Sequence, residues 1–398
     1  MGFQELQRRI KSMAPQTNEY LKHNSFLQIR NKGDSLKADV MRRIQMLRVS
    51  LENCKLNKSK KNLILKNAIS DLIDYREPKE SPFFTLSSNT VEEINRLDDS
   101  DIATYLYHRY RYEIFPQTQT LDNYPPYLQI EPSSICNFRC VFCYQTDASF
   151  VKRRNGFMGY MSLETFCRII DEAEGNIEFI SLASRGEPLL CPEIEEMLSY
   201  TRGKFLNLKM NTNASLLDER KSHAILQSGI QTLVFSADAA QEPLYSKLRV
   251  NGKLDNVLRN IRQFHEIKSR HYSDSKMITR VSGVKVNDNQ NLDEMEELWG
   301  ELVDQVAFVK YNPWENVYES DPTFIKKSCS DLWRRMFIWW DGKVNPCDVD
   351  YRSELHVEDF TTQGLSDLWR SPAYELLREI HSNQQRSSKF PCNRCSVV

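Results

Sequence analysis

The chain has 398 residues, of which 40% are hydrophobic and 27% charged, and its formal net charge is -1 at pH 7. This composition excludes a disordered chain, predicts a globular protein of two or three domains, and gives no reason to expect a nucleic-acid partner. Because no apolar run could cross a membrane and the polar start is not a secretory signal, we predict a cytoplasmic protein with no membrane partner and ten reduced cysteines.

Residues 1–120 are predicted to form a helical, mostly polar N-terminal domain. Apolar residues recur at helical spacing within residues 18–56 and 63–75, and a further helix is predicted over residues 91–112. This third of the chain contains no internal repeat and no chemical motif. It could therefore recognise substrate, mediate assembly or cover the core.

From residue 127 onward, short apolar strands alternate with amphipathic helices. The six predicted strands are Tyr127–Glu131, Ile177–Ala183, Leu206–Asn211, Thr232–Ser236, Thr279–Val286 and Val306–Tyr311. Helices are predicted near Leu163–Ala173, Pro192–Thr201, Asp218–Gln227, Leu254–Lys268 and Asp293–Leu302. Such alternation predicts an α/β fold with a parallel sheet and right-handed crossovers. The pattern alone fits either an open doubly wound sheet or an incomplete barrel.

Three cysteines, Cys136, Cys140 and Cys143, follow the first predicted strand within eight residues of one another. Soft thiolates select zinc, copper(I) or iron–sulfur clusters. A structural zinc site would normally be closed by a fourth nearby ligand, and none follows in this loop. Three thiolates on a four-iron cluster leave one iron open for chemistry. The alternative is a zinc knuckle with a distant fourth ligand.

The C-x3-C-x2-C spacing, with Phe142 before the last cysteine, resembles the signature of radical S-adenosylmethionine (SAM) enzymes. The resemblance implies that Cys136, Cys140 and Cys143 bind a [4Fe–4S] cluster whose open iron chelates the methionine moiety of SAM. It also implies a partial (β/α)6 TIM-like barrel, with the chemistry at the C-terminal ends of the strands. In that family Phe142 would pack on the adenine of SAM, whereas it could otherwise wedge the loop into the core.

Polar motifs that follow the next three predicted strands resemble further SAM-contacting motifs of this family. Residues 184–188 resemble its Gly-Gly-Glu-Pro motif, although Arg185 stands where many relatives have glycine. Residues 211–214 and 236–238 resemble turns at later strand ends. The resemblance implies cofactor-binding roles for Gly186, Glu187, Pro188, Asn213, Ser236 and Arg249. Taken singly, each polar residue could instead cap a helix.

A second group of cysteines, Cys329, Cys347, Cys392 and Cys395, lies near the end of the chain. The first two flank a predicted hairpin with an Asp341-Gly342 turn. Four thiolates complete the ligand set of one [4Fe–4S] cluster, and zinc is the alternative on the residues alone. The pattern resembles the auxiliary-cluster domain called SPASM, in its shortened single-cluster form, twitch. We therefore predict three domains, over residues 1–120, 121–315 and 316–398.

The resemblance implies an enzyme that cleaves SAM reductively and takes a hydrogen atom from substrate with a 5'-deoxyadenosyl radical. A fully ligated second cluster would pass electrons, which fits a two-electron oxidation. The spacing of Cys329, Cys347, Cys392 and Cys395 resembles that of twitch dehydrogenases that oxidise an aminocyclitol alcohol, and this resemblance implies a small polar, sugar- or cyclitol-like substrate. Asp238 and Glu315 are candidates for the general base that this oxidation needs. An external electron donor such as flavodoxin or ferredoxin would reduce the enzyme.

Three other functions stay open from the sequence. The chain could be a peptide-modifying maturase, and then the substrate would be a peptide, although its N-terminal third lacks the strands of a winged-helix peptide-recognition domain. It could be a radical epimerase with Cys191 as hydrogen donor, whereas Cys167 is predicted to be a core residue and Cys54 has no predicted role. The non-enzymatic alternative is a zinc-binding scaffold.

Overall fold

The computed structural model describes residues 20–26, 34–53, 59–74, 82–360 and 363–397. Its strands are, in chain order, β1 (Tyr20–Ser25), β2 (Tyr127–Ile130), β3 (Arg139–Cys140), β4 (Phe179–Leu182), β5 (Asn207–Thr212), β6 (Thr232–Ser236), β7 (Arg249–Val250), β8 (Ile278–Lys285), β9 (Gln305–Lys310), β10 (Arg335–Ile338), β11 (Lys343–Asn345) and β12 (Glu358–Asp359). Its helices are α1 (Asp34–Asn53), α2 (Lys60–Ile73), α3 (Ser88–Arg96), α4 (Asp99–Thr118), α5 (Leu163–Ala173), α6 (Ile194–Tyr200), α7 (Glu219–Gln227), α8 (Leu244–Leu248), α9 (Leu254–His271), α10 (Leu292–Gly300), α11 (Asp331–Arg334), α12 (Leu365–Trp369) and α13 (Pro372–Ser382).

A parallel array of six strands forms the centre of the fold, in the order β2-β4-β5-β6-β8-β9. These are the six strands predicted from the sequence, and each bound agrees within two residues. The array does not close on itself, because the outer neighbour of β9 is β1 and that of β2 is β10. The predicted α/β fold with a partial barrel is confirmed.

The crossover helices begin where short polar side chains cap them. Ser162 accepts a hydrogen bond from the backbone N–H of Thr165 at the start of α5. Asp218 caps α7 in the same way. Such caps satisfy backbone donors that a helix start leaves unpaired, which explains why these helices begin where the sequence predicts.

The N-terminal third differs from its prediction in two respects. Residues 20–25 form β1, an antiparallel edge strand on β9, although residues 18–56 were expected to be helical. The single helix predicted over residues 91–112 is two helices, α3 and α4, with a break at Leu97. The helices pack at the N-terminal end of the barrel, where the His108 ring stacks on Phe179 with a centroid separation of 3.5 Å. This region therefore covers one end of the barrel.

The C-terminal cysteine-rich region continues the barrel sheet. Strand β10 pairs in parallel with β2 and antiparallel with β11, so the predicted hairpin is present. Its turn glycine, Gly342, has a φ of +86°, a backbone conformation that suits glycine. Trp333 and Trp369 belong to the same apolar core as Leu128 of the barrel. The domain boundaries themselves stay a prediction. Among the described helices, none has the length and apolarity needed to cross a bilayer.

Candidate active site

Three cysteine side chains line one wall of a cavity of about 410 Å³ inside the barrel. Cys140 lies in β3, which pairs antiparallel with β7 so that Cys140 is opposite Arg249. The Cys143 N–H donates to the Cys140 carbonyl at 3.0 Å and tightens the loop around the thiols. The predicted ligands Cys136, Cys140 and Cys143 are therefore brought together at the C-terminal end of β2.

The electrostatics of these thiols fit a metal cluster. Burial raises the pKa of Cys136 to about 12, and it also raises the pKa values of Cys140 and Cys143. Such buried thiols stay neutral unless a cation compensates the thiolate charge. The Arg249 Nη1 lies 3.7 Å from the Cys140 sulfur and is one such positive group. The three cysteines can therefore hold a [4Fe–4S] cluster, whose iron stabilises thiolates directly.

Gly186 allows the loop after β4 to lie directly against the cysteine loop. A Cβ at this position would stand 2.4 Å from the Ser133 carbonyl oxygen and 2.6 Å from that of Ile135. The next N–H, of Glu187, donates to the Ile135 carbonyl at 2.9 Å. In the structure Gly186 therefore lies against the backbone that leads to Cys136, and its cofactor-binding role stays a prediction.

Glu187 is a buried connector between two strand ends. Its carboxylate accepts hydrogen bonds from the Thr212 hydroxyl and the Asn213 N–H, both at 2.7 Å. It also accepts from the Leu189 N–H at 3.1 Å, in the short turn that Pro188 begins. Glu187 does cap the short 3-10 helix Pro188–Leu190, as the alternative of a helix-start residue requires, but it is not a surface residue, because it is only 3% exposed.

The other predicted cofactor residues surround the same cavity. The Asn213 side-chain amide donates to the side-chain oxygen of Asn137, in the cysteine loop, at 2.9 Å. Ser236 ends β6 at the cavity wall. The Arg249 guanidinium lies 5.9 Å from the centre of the Phe142 ring. Six of the seven residues predicted at this end line the cavity: Phe142, Gly186, Glu187, Asn213, Ser236 and Arg249. Pro188 is not at the wall and instead begins the buried turn that follows Glu187.

The two candidate bases differ in position. Asp238 lines the cavity, but its carboxylate is paired with the Arg249 Nε at 2.5 Å and accepts from the Val284 N–H at 2.6 Å. Glu315 accepts a hydrogen bond from the Tyr311 hydroxyl and does not line the cavity. The geometry therefore gives Asp238 the task of holding Arg249 beside Cys140.

Arg185, where many relatives have glycine, forms a buried ion pair that the sequence did not reveal. Its Nε donates to Glu131 at 2.8 Å and its Nη2 to the second oxygen of that carboxylate at 2.5 Å. Its Nη1 donates to the Tyr351 carbonyl at 2.9 Å, and its guanidinium lies 4.1 Å from the Trp339 ring centre. Arg185 therefore ties the barrel to the C-terminal region.

The four C-terminal cysteines form a second group of neighbouring thiols. Burial raises their pKa values. The pKa of Cys347 is raised further by the other three thiols, that of Cys392 by Cys329 and Cys395, and that of Cys329 by Cys395. The Arg386 guanidinium donates to the backbone carbonyls of Cys392 and Cys395 at 3.0 and 2.6 Å. In the described parts of the chain, no three His, Cys, Asp or Glu side chains are grouped for a single metal ion.

Two of the remaining cysteines lie away from the cavity wall. Cys191 is buried near the Met161 carbonyl, with a sulfur–oxygen distance of 3.9 Å. Cys167, predicted to be core, is only partly buried on α5. Cys54 lies outside the described residues. Cys191, the candidate hydrogen donor of an epimerase, therefore does not line the cavity.

The fold and the site define a partial α/β barrel with two cysteine centres. The model of the radical SAM superfamily matches residues 130–298, and the model of an iron–sulfur cluster-binding domain, SPASM, matches residues 329–396. The chain belongs to the radical SAM superfamily and carries a C-terminal SPASM domain. Its cofactors are therefore SAM and [4Fe–4S] clusters, and membership supports an enzyme that acts on a substrate with electrons from a donor.

The relatives found by sequence are distant. A tungsten-containing aldehyde ferredoxin oxidoreductase cofactor-modifying protein of Pyrococcus furiosus is 22% identical, with 68% of this chain and 87% of the relative covered. A GTP 3',8-cyclase of Clostridium botulinum is 24% identical, and the match covers 52% of this chain and 64% of the cyclase, less than two thirds of its length. Streptococcus suis SuiB bound to its precursor peptide SuiA shares the fold, with a TM-score of 0.52, 15% identity and coverage of 83% and 80%.

Proposed function

We propose that this radical SAM enzyme catalyses the two-electron oxidation of a small polar molecule bound in the barrel cavity. The observation that carries the proposal is the composition of the cavity wall. One end of the cavity is lined by Cys136, Cys140 and Cys143, and the same cavity touches Asp348 and Val349, which directly follow Cys347. A substrate in this cavity would lie between the two cysteine centres.

In the proposal Cys136, Cys140 and Cys143 hold the SAM-cleaving [4Fe–4S] cluster, and the auxiliary cluster is held by Cys329, Cys347, Cys392 and Cys395. When bound, SAM and the first cluster would supply one-electron chemistry that removes a hydrogen atom from substrate, and the auxiliary cluster would supply an acceptor for the remaining electron of the two-electron oxidation. The residues of the chain orient the reactants. Arg249 would face the SAM carboxylate while Asp238 holds its guanidinium, and Phe142 would pack on adenine.

A small molecule is favoured over a peptide by the N-terminal region. Among the described residues before 120 there is one strand, β1, and it pairs with β9 of the barrel. A winged-helix peptide-recognition domain needs strands of its own, and none is present in residues 20–26, 34–53, 59–74 and 82–120. The likeness to SuiB concerns the fold, so peptide modification remains the second candidate function for experiment to test.

The proposed compartment and electron donor follow from the need for reduced thiols and single electrons. The cytoplasm keeps thiols reduced, and nine cysteines in the described parts of the chain are free. Flavodoxin or ferredoxin would deliver the single electrons that SAM cleavage requires. We place the enzyme in that compartment with such a donor.

Anaerobic reconstitution followed by iron and sulfide analysis tests the assignment. The proposal expects about eight irons per chain, four for each cluster, and 5'-deoxyadenosine after addition of dithionite and SAM. Cys140→Ala should lose SAM cleavage, whereas Cys392→Ala should keep cleavage with about half of the iron. Cys167→Ala is the matched control and should change neither quantity. Cleavage with about four irons in the unaltered protein would remove the auxiliary cluster and with it the argument for oxidation.

A further inference from the structure

Three cationic side chains point into the barrel cavity away from the cysteine centre. Lys209 lies near the start of β5, Arg280 near the start of β8, and Arg335 is the first residue of β10, and all three line the cavity. Asn213, which contacts the cysteine loop, comes four residues after Lys209. At about 3.3 Å per residue, the Lys209 backbone lies about 13 Å from that end.

The two arginines are held in fixed orientations by neighbouring residues. The Arg280 Nε donates to the Gln305 side-chain oxygen at 2.8 Å, and its Nη2 lies 3.5 Å from Glu93 of α3. The Arg335 Nε donates to the Tyr112 hydroxyl of α4 at 3.0 Å. Both guanidinium groups are therefore pre-organised by the helices at the end of the barrel, which lowers the entropic cost of binding a ligand.

Lys209 has no partner of its own in the described parts of the chain. Neither an ion pair nor a hydrogen bond connects its ammonium to those residues, and the charged groups that act on it are Arg280, Arg335 and, with the opposite sign, Glu93. Because an isolated buried charge is costly, burial and the two arginines lower the pKa of Lys209 to about 7. A cavity-lining residue with so perturbed a pKa is a candidate for ligand binding.

The carboxylates that line the cavity do not neutralise Lys209. Glu187 is occupied by Thr212 and Asn213, and Asp238 is paired with Arg249. The third, Asp348, faces Gln129 and Arg335. Glu93 of α3 is the carboxylate that acts on Lys209, and it already lies 3.5 Å from the Arg280 guanidinium, so Lys209 has no carboxylate to itself.

We propose that Lys209, flanked by Arg280 and Arg335, anchors an oxyanion, a carboxylate or a phosphate, carried by the substrate. This inference rests on the proposed function, because the oxyanion is part of the substrate that the enzyme would oxidise. Charge-assisted hydrogen bonds from one ammonium and two guanidinium groups recognise this chemistry. The anion would fix one end of the substrate, while the end that reacts lies toward the cysteine centre. The substrate is then an anionic molecule rather than a neutral sugar or cyclitol.

Thermal unfolding of the reconstituted holoenzyme tests the subsite without turnover. Inorganic phosphate and acetate are titrated separately, each against sodium chloride at matched ionic strength. The expected result is a midpoint that rises with one or both oxyanions beyond the effect of chloride, since a ligand of the native state stabilises it. The anion with the larger effect identifies whether phosphate or carboxylate is the preferred group. Equal effects of chloride and both oxyanions would overturn the proposal.

Variants of Lys209 separate the subsite from general salt effects. Lys209→Met removes the uncompensated charge, so its midpoint without oxyanion should exceed that of the unaltered protein, and its affinity for the oxyanion should fall about tenfold or more. Lys209→Arg restores the charge and should restore the response, while Lys209→Gln is a second neutral variant. Lys66→Met, at an exposed lysine on α2, is the control. An undiminished oxyanion response in both neutral variants would overturn the assignment.

Failure of the subsite and failure of the proposed function give different results. Iron content and 5'-deoxyadenosine formation are measured on the same samples without substrate. Loss of the oxyanion response with normal SAM cleavage counts against the subsite alone. An oxyanion response without SAM cleavage counts against the proposed function alone.

Discussion

The buried ion pair between Arg185 and Glu131 offers a sharp test of how the two halves of the molecule are joined. The side chain of Arg185 is 2% exposed and that of Glu131 is completely buried. Besides Arg185, the Glu131 carboxylate accepts the backbone N–H of Trp340 at 3.2 Å. The variant Arg185→Met keeps an apolar stem against Trp339 and leaves this carboxylate buried without its cation.

The expected loss of stability is large because one charge stays behind. Removing a single partner of a buried ion pair costs about 3–5 kcal/mol. Glu131→Gln in addition to Arg185→Met removes the stranded charge, so the double variant should recover part of the loss. At roughly 2 °C per kcal/mol for a large domain, Arg185→Met should lower the unfolding midpoint by about 6–10 °C.

Anaerobic differential scanning calorimetry of the holoenzyme measures these shifts. Arg220→Met is the matched control, because Arg220 pairs with Glu195 at 2.8 Å but its side chain is 77% exposed. Such a surface pair contributes about 1 kcal/mol or less. Two results would refute the reasoning: a shift for Arg185→Met no larger than the control's, or strictly additive effects of the two changes at Arg185 and Glu131.

Three further predictions concern single positions. Gly186→Ala would force the loop after β4 apart from the Ser133 and Ile135 carbonyls that lead into the cysteine loop, so the iron content after reconstitution should fall; iron bound at the level of the unaltered protein would contradict the close contact. Glu187→Gln should lower the free energy of unfolding by about 1–3 kcal/mol, which urea unfolding measures. The carboxylate accepts three hydrogen bonds on its two oxygens, whereas the amide nitrogen of glutamine cannot accept any of them. Burial lowers the pKa of His265 to about 4, so its stabilising effect is complete above pH 6.5 and is lost as the pH falls toward 4, by about 3 kcal/mol at most. His265→Gln should therefore weaken the dependence of the free energy of unfolding on pH between 6.5 and 4. An unchanged pH dependence would contradict this prediction.

The strands of the barrel and the cysteine loop could be predicted because their signals are local. A buried run such as Leu233–Phe235 indicates a strand by its apolar residues alone, and Cys136, Cys140 and Cys143 need only short spacing to meet. Strand β1 was missed since its sequence, Tyr-Leu-Lys-His-Asn-Ser, lacks alternation and depends on pairing with β9. A short edge strand is defined by its neighbour more than by its own residues.

The polar interior of the barrel could not be predicted for a related reason. Lys209 stands between two apolar residues of a predicted strand, and such a pattern usually indicates a side exposed to water. Whether that side turns toward solvent or into a cavity is decided by the curvature of the whole sheet. Arg185 and Glu131 likewise are 54 positions apart in the chain, so their pairing follows from the adjacency of β2 and β4. Sequence motifs identified the chemistry, whereas tertiary contacts determined which charges are compensated.

The parallel pairing of β10 with β2 has a consequence for how the chain can be synthesised and divided. A truncated chain that stops at residue 315 would lack β10 and leave one side of β2 with unpaired backbone groups. Exposed strand edges of this kind recruit other chains, so such a fragment should aggregate. On the ribosome, the same edge stays open until residues 335–338 have emerged. The last 80 or so residues therefore cover the open edge of β2 only after the rest of the barrel has been synthesised. Cluster insertion at the two cysteine centres has to be compatible with this late step.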